Sequence, residues 1–196
     1  MGKKKLLYIN NFEAPYRVPF FNLLGEKFDL TLVLTQRPED RKDRNAKWFA
    51  HTERNYKVVY LNTTKIAGVR IAFDIRKMLM DYELIFMDMY GNPTNMYAIF
   101  CMNRMKKKFL LSVDGMLPRK HENPLVYMVK KYCLKSPELV MSPGESVDSC
   151  LMHYGVPKEK IVRYHFTSLL KDDVLEQLPN DEEKRRLRIQ IGLKAE

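Results

Sequence analysis

Cysteine and histidine are scarce in this sequence of 196 residues, and their pattern argues against metal sites. The three cysteines, Cys101, Cys133 and Cys150, form no Cys-x-x-Cys pair, and Cys101 and Cys150 lie in apolar helical runs. Such cysteines are typical of small buried residues in a reducing compartment. The four histidines show no metal-ligand spacing with the cysteines or with each other, so we predict no bound metal.

Long apolar runs are lacking as well. No run approaches the roughly 20 residues that are needed to cross a bilayer. Lysines precede the first apolar run, but that run is far too short for the core of a signal peptide. We therefore expect a cytoplasmic protein, and a peripheral position at the inner face of the membrane stays open as an alternative.

Several short catalytic motifs are absent from the sequence. It contains no Gly-x-Gly-x-x-Gly, no Walker loop, no Gly-x-Ser-x-Gly and no His-Glu-x-x-His. These absences argue against dehydrogenases, P-loop enzymes, serine hydrolases and zinc peptidases. We expect no cofactor in this chain.

The charge is the one unusual feature of the composition. The sequence has 34 Lys and Arg against 24 Asp and Glu, a net charge of +10. This excess favours an anionic partner such as nucleic acid, a phosphorylated sugar or an anionic membrane surface. Nucleic acid is the least favoured of these, because the aromatic residues lie in apolar runs and not among the lysines. A non-enzymatic basic α/β module that binds nucleic acid stays the alternative function.

Short apolar runs alternate with helical patterns along the chain. The runs predict strands at residues 6–10, 30–35, 56–61, 84–88, 109–113, 139–142 and 161–164. Helical spacing predicts helices at residues 20–28, 66–82, 94–105, 124–134, 142–154 and 180–191. Within the fifth helix, Ser142 is predicted as the N-cap and Glu145 as its capping-box partner. The alternation predicts an α/β fold: a Rossmann-like, mostly parallel sheet with helices on both faces.

Polar residues follow the predicted strands at the edge where open α/β sheets bind ligands. We predict a binding site for a hydroxyl-rich ligand there. Its residues are Asn11, Glu13, Tyr16, Arg17, Asp88, Gly91, Asn92, Asp114, Gly115, Arg119, Ser142 and Glu145. Asp114 and His121 are the candidate catalytic residues.

Several of these residues have simpler structural roles as alternatives. Arg17 is suited to binding a phosphate and equally to an ion pair with Glu13, and the sequence favours neither role. Asp88 and Asp114 are suited to capping turns, which is the commoner use of aspartate at strand ends. Glycines at 91 and 115 are suited to turn geometry.

The segment from residue 36 to residue 55 is polar, charged and without periodicity. A loop of this length is usually functional or disordered. Its aromatic pair, Trp48 and Phe49, is suited to a lid over a substrate, to a membrane anchor or to a packing plug.

Three segments carry a resemblance to a known family. Residues 14–21, Ala-Pro-Tyr-Arg-Val-Pro-Phe-Phe, resemble the opening loop of a subset of GT-B glycosyltransferases of the family four type. Residues 154–161, Tyr-Gly-Val-Pro-Lys-Glu-Lys-Ile, are similar to that family's Gly-x-Pro-x-x-Lys-Ile. Residues 164–169, Tyr-His-Phe-Thr-Ser-Leu, match by position, although the family has Pro-Asn-Gly-Val-Asp there.

The resemblance implies that this chain is one half of a GT-B fold. Residues 1–170 would be the Rossmann-like, acceptor-side N-terminal domain, and residues 171–196 the linker and helix that lead to a donor-binding domain absent from this chain. The implied function is acceptor binding for a retaining hexosyltransferase that uses a nucleotide-sugar donor in surface polysaccharide or glycolipid biosynthesis. The acceptor would be a sugar or a lipid-linked glycan, and this chain alone would be inactive.

Overall fold

The structure of the protein is a computed structural model, which describes residues 2–38, 53–117, 121–164, 169, 171 and 174–194. The predictions for Trp48, Phe49 and Arg119 lie outside the described residues, as does most of the motif at 164–169.

The described residues contain two sheets. Their strands are β1 (Lys5–Asn10), β2 (Asp29–Leu34), β3 (Lys57–Tyr60), β4 (Thr64–Ile66), β5 (Val69–Ile71), β6 (Leu84–Asp88), β7 (Leu110–Ser112), β8 (Leu139–Ser142) and β9 (Ile161–Arg163). Seven strands form a fully parallel sheet in the order β3-β2-β1-β6-β7-β8-β9, and β4 and β5 form a separate antiparallel hairpin. Five of the six residues in β1 and in β2 are buried, as expected for strands at the centre of a parallel sheet.

Helices cover both faces of the large sheet. They are α1 (Val18–Lys27), α2 (Ile75–Met80), α3 (Pro93–Arg104), α4 (Pro124–Lys135), α5 (Glu145–His153) and α6 (Asp181–Gln190). On one face, Phe21 of α1 packs with Leu6 and Tyr8 of β1. On the other face, buried residues of α2 to α5 pack with Leu7 and Ile9 of the same strand. Because successive residues of β1 point to opposite faces, this one strand contributes to both cores.

The α/β fold class and the parallel sheet predicted from the sequence are confirmed. The seven predicted strands occur within one residue of their expected ends, and all three cysteines are buried as free thiols. α6 has no buried residue, so it contributes nothing to either core. The division into a domain of residues 1–170 and a linker with a helix at residues 171–196 stays a prediction.

The predicted helix at residues 66–82 is wrong over its first half. The chain forms the hairpin of β4 and β5 there, and a helix begins only at Ile75. Ala67 and Gly68 at the hairpin turn have φ angles of 49° and 83°, a backbone conformation that a helix cannot contain. The apolar residues that suggested a helical face belong partly to the hairpin.

The predicted capping box of the fifth helix is also wrong. α5 begins at Glu145 with Gly144 as its N-cap, and no side chain caps it. Ser142 is instead the buried last residue of β8, and its hydroxyl bonds to the backbone N–H and C=O of Gly144 at 3.3 and 3.1 Å. Because β8 extends to Ser142, the helix begins three residues later, and Ser142 bonds to the N-cap residue instead of being that residue.

Candidate functional site at the carboxyl edge of the sheet

The strand order places a crevice beside β1. The chain leaves β1 toward β2 on one side and later returns to β6 on its other side. In open α/β sheets, ligands bind outside the carboxyl ends of the two strands that flank such a switch point. Here those ends are Asn10 of β1 and Asp88 of β6, and most of the predicted site residues follow them.

A buried ion pair lies at the floor of this crevice. Arg17 closes the 3-10 turn Pro15–Arg17 that precedes α1, and its guanidinium Nη2 forms an ion pair with the Asp88 carboxylate. The same nitrogen donates a hydrogen bond of 2.9 Å to the hydroxyl of Tyr8 in β1. Both Arg17 and Asp88 are more than nine-tenths buried. The three side chains connect the loop of residues 11–17 after β1, here called the opening loop, to the central strands β1 and β6.

Burial governs the protonation of Asp88. It raises the pKa of this carboxyl to about 6, because removal from water disfavours the charged form. Arg17 opposes the increase in the pKa, whereas the negative charge of Asp114 adds to it. The crevice therefore holds a carboxyl group whose pKa lies far closer to neutrality than that of an ordinary aspartate.

The raised pKa of Asp88 predicts how stability depends on pH. Between about pH 4 and about pH 6 the folded chain retains a proton that the unfolded chain has released. The contribution of Asp88 to the free energy of unfolding therefore decreases as pH rises through this window and is constant above it. Carboxyl NMR titration should give Asp88 a midpoint near pH 6.

Glu138 provides an internal contrast for that titration. A hydrogen bond from Lys108 and the lysine's charge lower the pKa of Glu138, so its contribution to stability is lost as pH falls. An Asp88 midpoint as low as that of Glu138 would contradict the prediction.

Glu13 lies in a separate buried cluster. Its carboxylate accepts hydrogen bonds from Arg54 Nε at 3.0 and 3.1 Å and forms an ion pair with Arg54 Nη2, and the hydroxyl of Tyr56 donates to it as well. The suggested pairing of Arg17 with Glu13 is therefore wrong, because each has a different partner. Through these bonds with Arg54 and Tyr56, Glu13 connects the opening loop to the segment that precedes β3.

Amide side chains form the wall between β1 and α3. Asn92 caps α3 by accepting a hydrogen bond of 2.8 Å from the N–H of Asn95, and its amide donates to the Asn11 side chain. The fully buried Asn95 donates to the carbonyl oxygens of Asp88 and Met89 at 3.3 and 2.9 Å. Met89 has a φ of 66°, a conformation that is rare for residues other than glycine. Asn95 thus holds the turn after β6 in its unusual shape.

Asp114 lies on the other side of Asp88, two residues after the end of β7. Its carboxylate accepts a hydrogen bond of 2.9 Å from the hydroxyl of Tyr164, which follows β9, and one of 3.4 Å from Ser112. The hydroxyls of Ser112 and Tyr164 are 3.1 Å apart. Burial raises the pKa of Tyr164 to about 12, so this hydroxyl keeps its proton and acts as a donor near neutral pH. Asp114 itself is exposed, so its carboxylate faces the edge of the sheet.

The remaining predicted residues are more dispersed. Tyr16 is exposed on the opening loop, and Glu145 forms an exposed ion pair of 3.4 Å with Arg163. His121 is exposed, whereas its neighbour Glu122 bonds to Lys130 and, at 2.7 Å, to the hydroxyl of Tyr154. Gly91 and Gly115 have no positive φ, so their turns do not require glycine.

Sequence reasoning missed several residues of the crevice. Tyr8 and Ser112 lie inside apolar strands, and Tyr164 directly follows the last strand of the sheet. The one available signal was a hydroxyl on a side chain within or beside an otherwise apolar strand, near the carboxyl end that carries the other site residues.

No group of three or more His, Cys, Asp or Glu side chains among the described residues is arranged to hold a metal ion. None of the described helices is both long enough and apolar enough to span a membrane.

Together, the parallel sheet and its strand order define a Rossmann-like domain with a switch point between β1 and β6. No protein-family model matches the sequence, and no curated protein matches it. Among solved structures, Anabaena HepE in complex with UDP and glucose is similar, with a TM-score of 0.64 and 11% identity over 96% of this chain. UDP-GlcNAc 2-epimerases from Neisseria meningitidis, bound to UDP-GlcNAc, and from Methanocaldococcus jannaschii have TM-scores of 0.54 and 0.53 at 14% and 12% identity.

These similarities establish the fold. They cover 83% and 81% of this chain for the two epimerases, and the chain spans 50% of HepE and 45% of each epimerase. The chain therefore has the Rossmann-like fold of one half of a GT-B protein. The comparisons give no support to a nucleic-acid-binding module.

Proposed function

We propose that this chain is the acceptor-binding, N-terminal domain of a retaining glycosyltransferase of the family four type. The observation that carries the proposal is the crevice at the β1–β6 switch point, where Asp88, Asn92 and Asp114 converge with the opening loop. Amide and carboxylate groups of this kind bind sugar hydroxyls by hydrogen bonds. The similarity of the fold to HepE, which binds UDP and glucose, supports a sugar-related ligand.

Residues 1–170 form the acceptor side in this proposal, and residues 171–196 lead to a donor-binding domain. The hexosyl group would come from a nucleotide sugar that is held mainly by that second domain. The acceptor is a sugar or a lipid-linked glycan in surface polysaccharide or glycolipid biosynthesis, met at an anionic membrane surface. Asn11, Tyr16 and Arg17 position this acceptor, and the chain alone does not transfer sugar.

Saturation-transfer NMR of the ligands and 15N–1H correlation spectra of the labelled 196-residue chain test the proposal. Methyl glycosides of glucose and N-acetylglucosamine should bind weakly and shift the backbone signals of residues after β1, β6 and β7. UDP-glucose should bind no more tightly than these glycosides, and no transfer should follow. Tight binding of UDP-glucose with unaided transfer to a glycoside would contradict the proposal, as would glycoside binding away from this edge.

A further inference from the structure

Helix α4 has apolar residues on two sides. Its inner side contributes Cys133 and Leu134 to the core. Its outer side carries Leu125, Met128, Val129 and Tyr132, whose exposed fractions lie between 45% and 71%. Residues with these spacings lie on one face of a helix, so the four side chains form one stripe along α4. Single exposed apolar residues are ordinary, but a continuous stripe indicates an interaction surface.

The surroundings of the stripe are basic. Neither α3 nor α4 contains an acidic residue. Lys131 and Lys135 lie along one border of the stripe, beside Gly155 at the end of α5. At the C-terminal end of the stripe, Asn103 of α3 donates a hydrogen bond of 2.7 Å to Ser136, which follows α4.

That hydrogen bond brings the exposed basic end of α3, Arg104 and Lys106, close to the last turn of α4. The apolar stripe therefore has lysines along one side and the basic end of α3 near its last turn. Such a helix is suited to an anionic bilayer, where apolar side chains enter the interface and lysines meet the lipid headgroups. A symmetric contact with a second copy would instead bring the same positive borders together, at an electrostatic cost.

We propose that the outer face of α4 docks this chain onto an anionic membrane surface. α4 starts at the carboxyl edge of the sheet, after the loop that carries Asp114. Docking through Leu125 and Met128 therefore places the crevice beside the lipid headgroups. If the proposed function holds, a lipid-linked acceptor would be presented at this position, but the docking itself does not depend on that function.

Sedimentation with lipid vesicles tests the docking. The 196-residue chain should bind phosphatidylcholine vesicles that contain about 30% phosphatidylglycerol, and this binding should weaken as salt rises from about 0.05 M to about 0.5 M. The variant L125Q/M128Q should lower the partition coefficient about tenfold, because two inserted side chains are lost. K131Q/K135Q should lower it about tenfold at low salt and less at high salt.

The matched control is L23Q/M80Q, which changes exposed apolar residues of α1 and α2 and should bind as the parent chain does. Circular dichroism and urea unfolding should show that every variant is folded. Equal binding to vesicles with and without phosphatidylglycerol would overturn the proposal, as would unchanged binding of L125Q/M128Q. A dimer that L125Q/M128Q dissociates, without vesicle binding, would assign the stripe to a second copy. These vesicles contain no glycan, so failure here leaves the proposed sugar site untouched.

Discussion

Replacing Arg17 by methionine should lower the free energy of unfolding by about 3–5 kcal/mol, the usual cost of leaving a buried charge without its partner. Asp88 is 3% exposed and would lose the guanidinium that neutralises it. Methionine keeps an unbranched apolar side chain in this place, but it also removes the contacts of the guanidinium with the rings of Phe20 and Phe21 at 5.2 and 5.7 Å. The effect should be smaller at pH 5 than at pH 8, because burial favours protonated Asp88 at the lower pH.

Urea denaturation followed by circular dichroism measures this loss. The matched control is K108M, which breaks the ion pair of 2.9 Å between Lys108 and Glu138, two side chains that are 78% and 48% exposed. Such a surface pair contributes little to stability, because water and salt screen both charges. If R17M costs no more than K108M at pH 8, Asp88 is not charged and buried as described.

Replacing Asp114 by asparagine should weaken the binding of a methyl glycoside about 10- to 100-fold. A hydrogen bond to a charged group contributes about 1.5–3 kcal/mol, which corresponds to that range. Asp114 suits this role because it is exposed at the edge while Tyr164 and Ser112 fix its orientation. The substitution keeps the shape of the side chain, so the fold should be unaffected. NMR titration with the glycoside gives the dissociation constants.

Two variants sharpen the test of Asp114. D181N removes an exposed aspartate on α6 and should bind the glycoside as the parent chain does. Y164F removes only the hydroxyl that orients Asp114, so we expect a loss of less than tenfold, since the charge stays in place. Parent-like binding by D114N would remove Asp114 from the site and leave Asn11 and Asn92 as the predicted ligand-binding groups.

The sheet was the most predictable part of the molecule. The strands at 84–88 and 139–142 have the predicted ends, because a buried parallel strand is a nearly continuous apolar run with polar residues at its limits. The position of the crevice followed in turn, since parallel strands place their carboxyl ends at one edge. Pattern alone was sufficient for the sheet, whereas ligand binding at this edge stays a prediction.

The partners within the crevice were not predictable from local pattern. Arg17 pairs with a residue 71 positions away, whereas the sequence suggested its near neighbour Glu13. Only the pairing of β1 with β6 brings Asp88 to Arg17. The hairpin of β4 and β5 was missed for a different reason: its strands have three residues each, too few for a two-residue period to stand out against helical spacing.

The place of β1 in the sheet also has a consequence for the order of folding. β2 and β3 on one side, and β6 to β9 on the other, pair with strands close to them in sequence. Within the sheet, the two groups are paired with each other only where Leu6 to Ile9 align with Leu84 to Met87, which closes a long loop of chain at a high entropic cost. The pairing of β1 with β6 should therefore form late in folding and break early in unfolding. Because the Arg17–Asp88 ion pair joins the same two parts of the chain, partly folded forms should lack the crevice altogether.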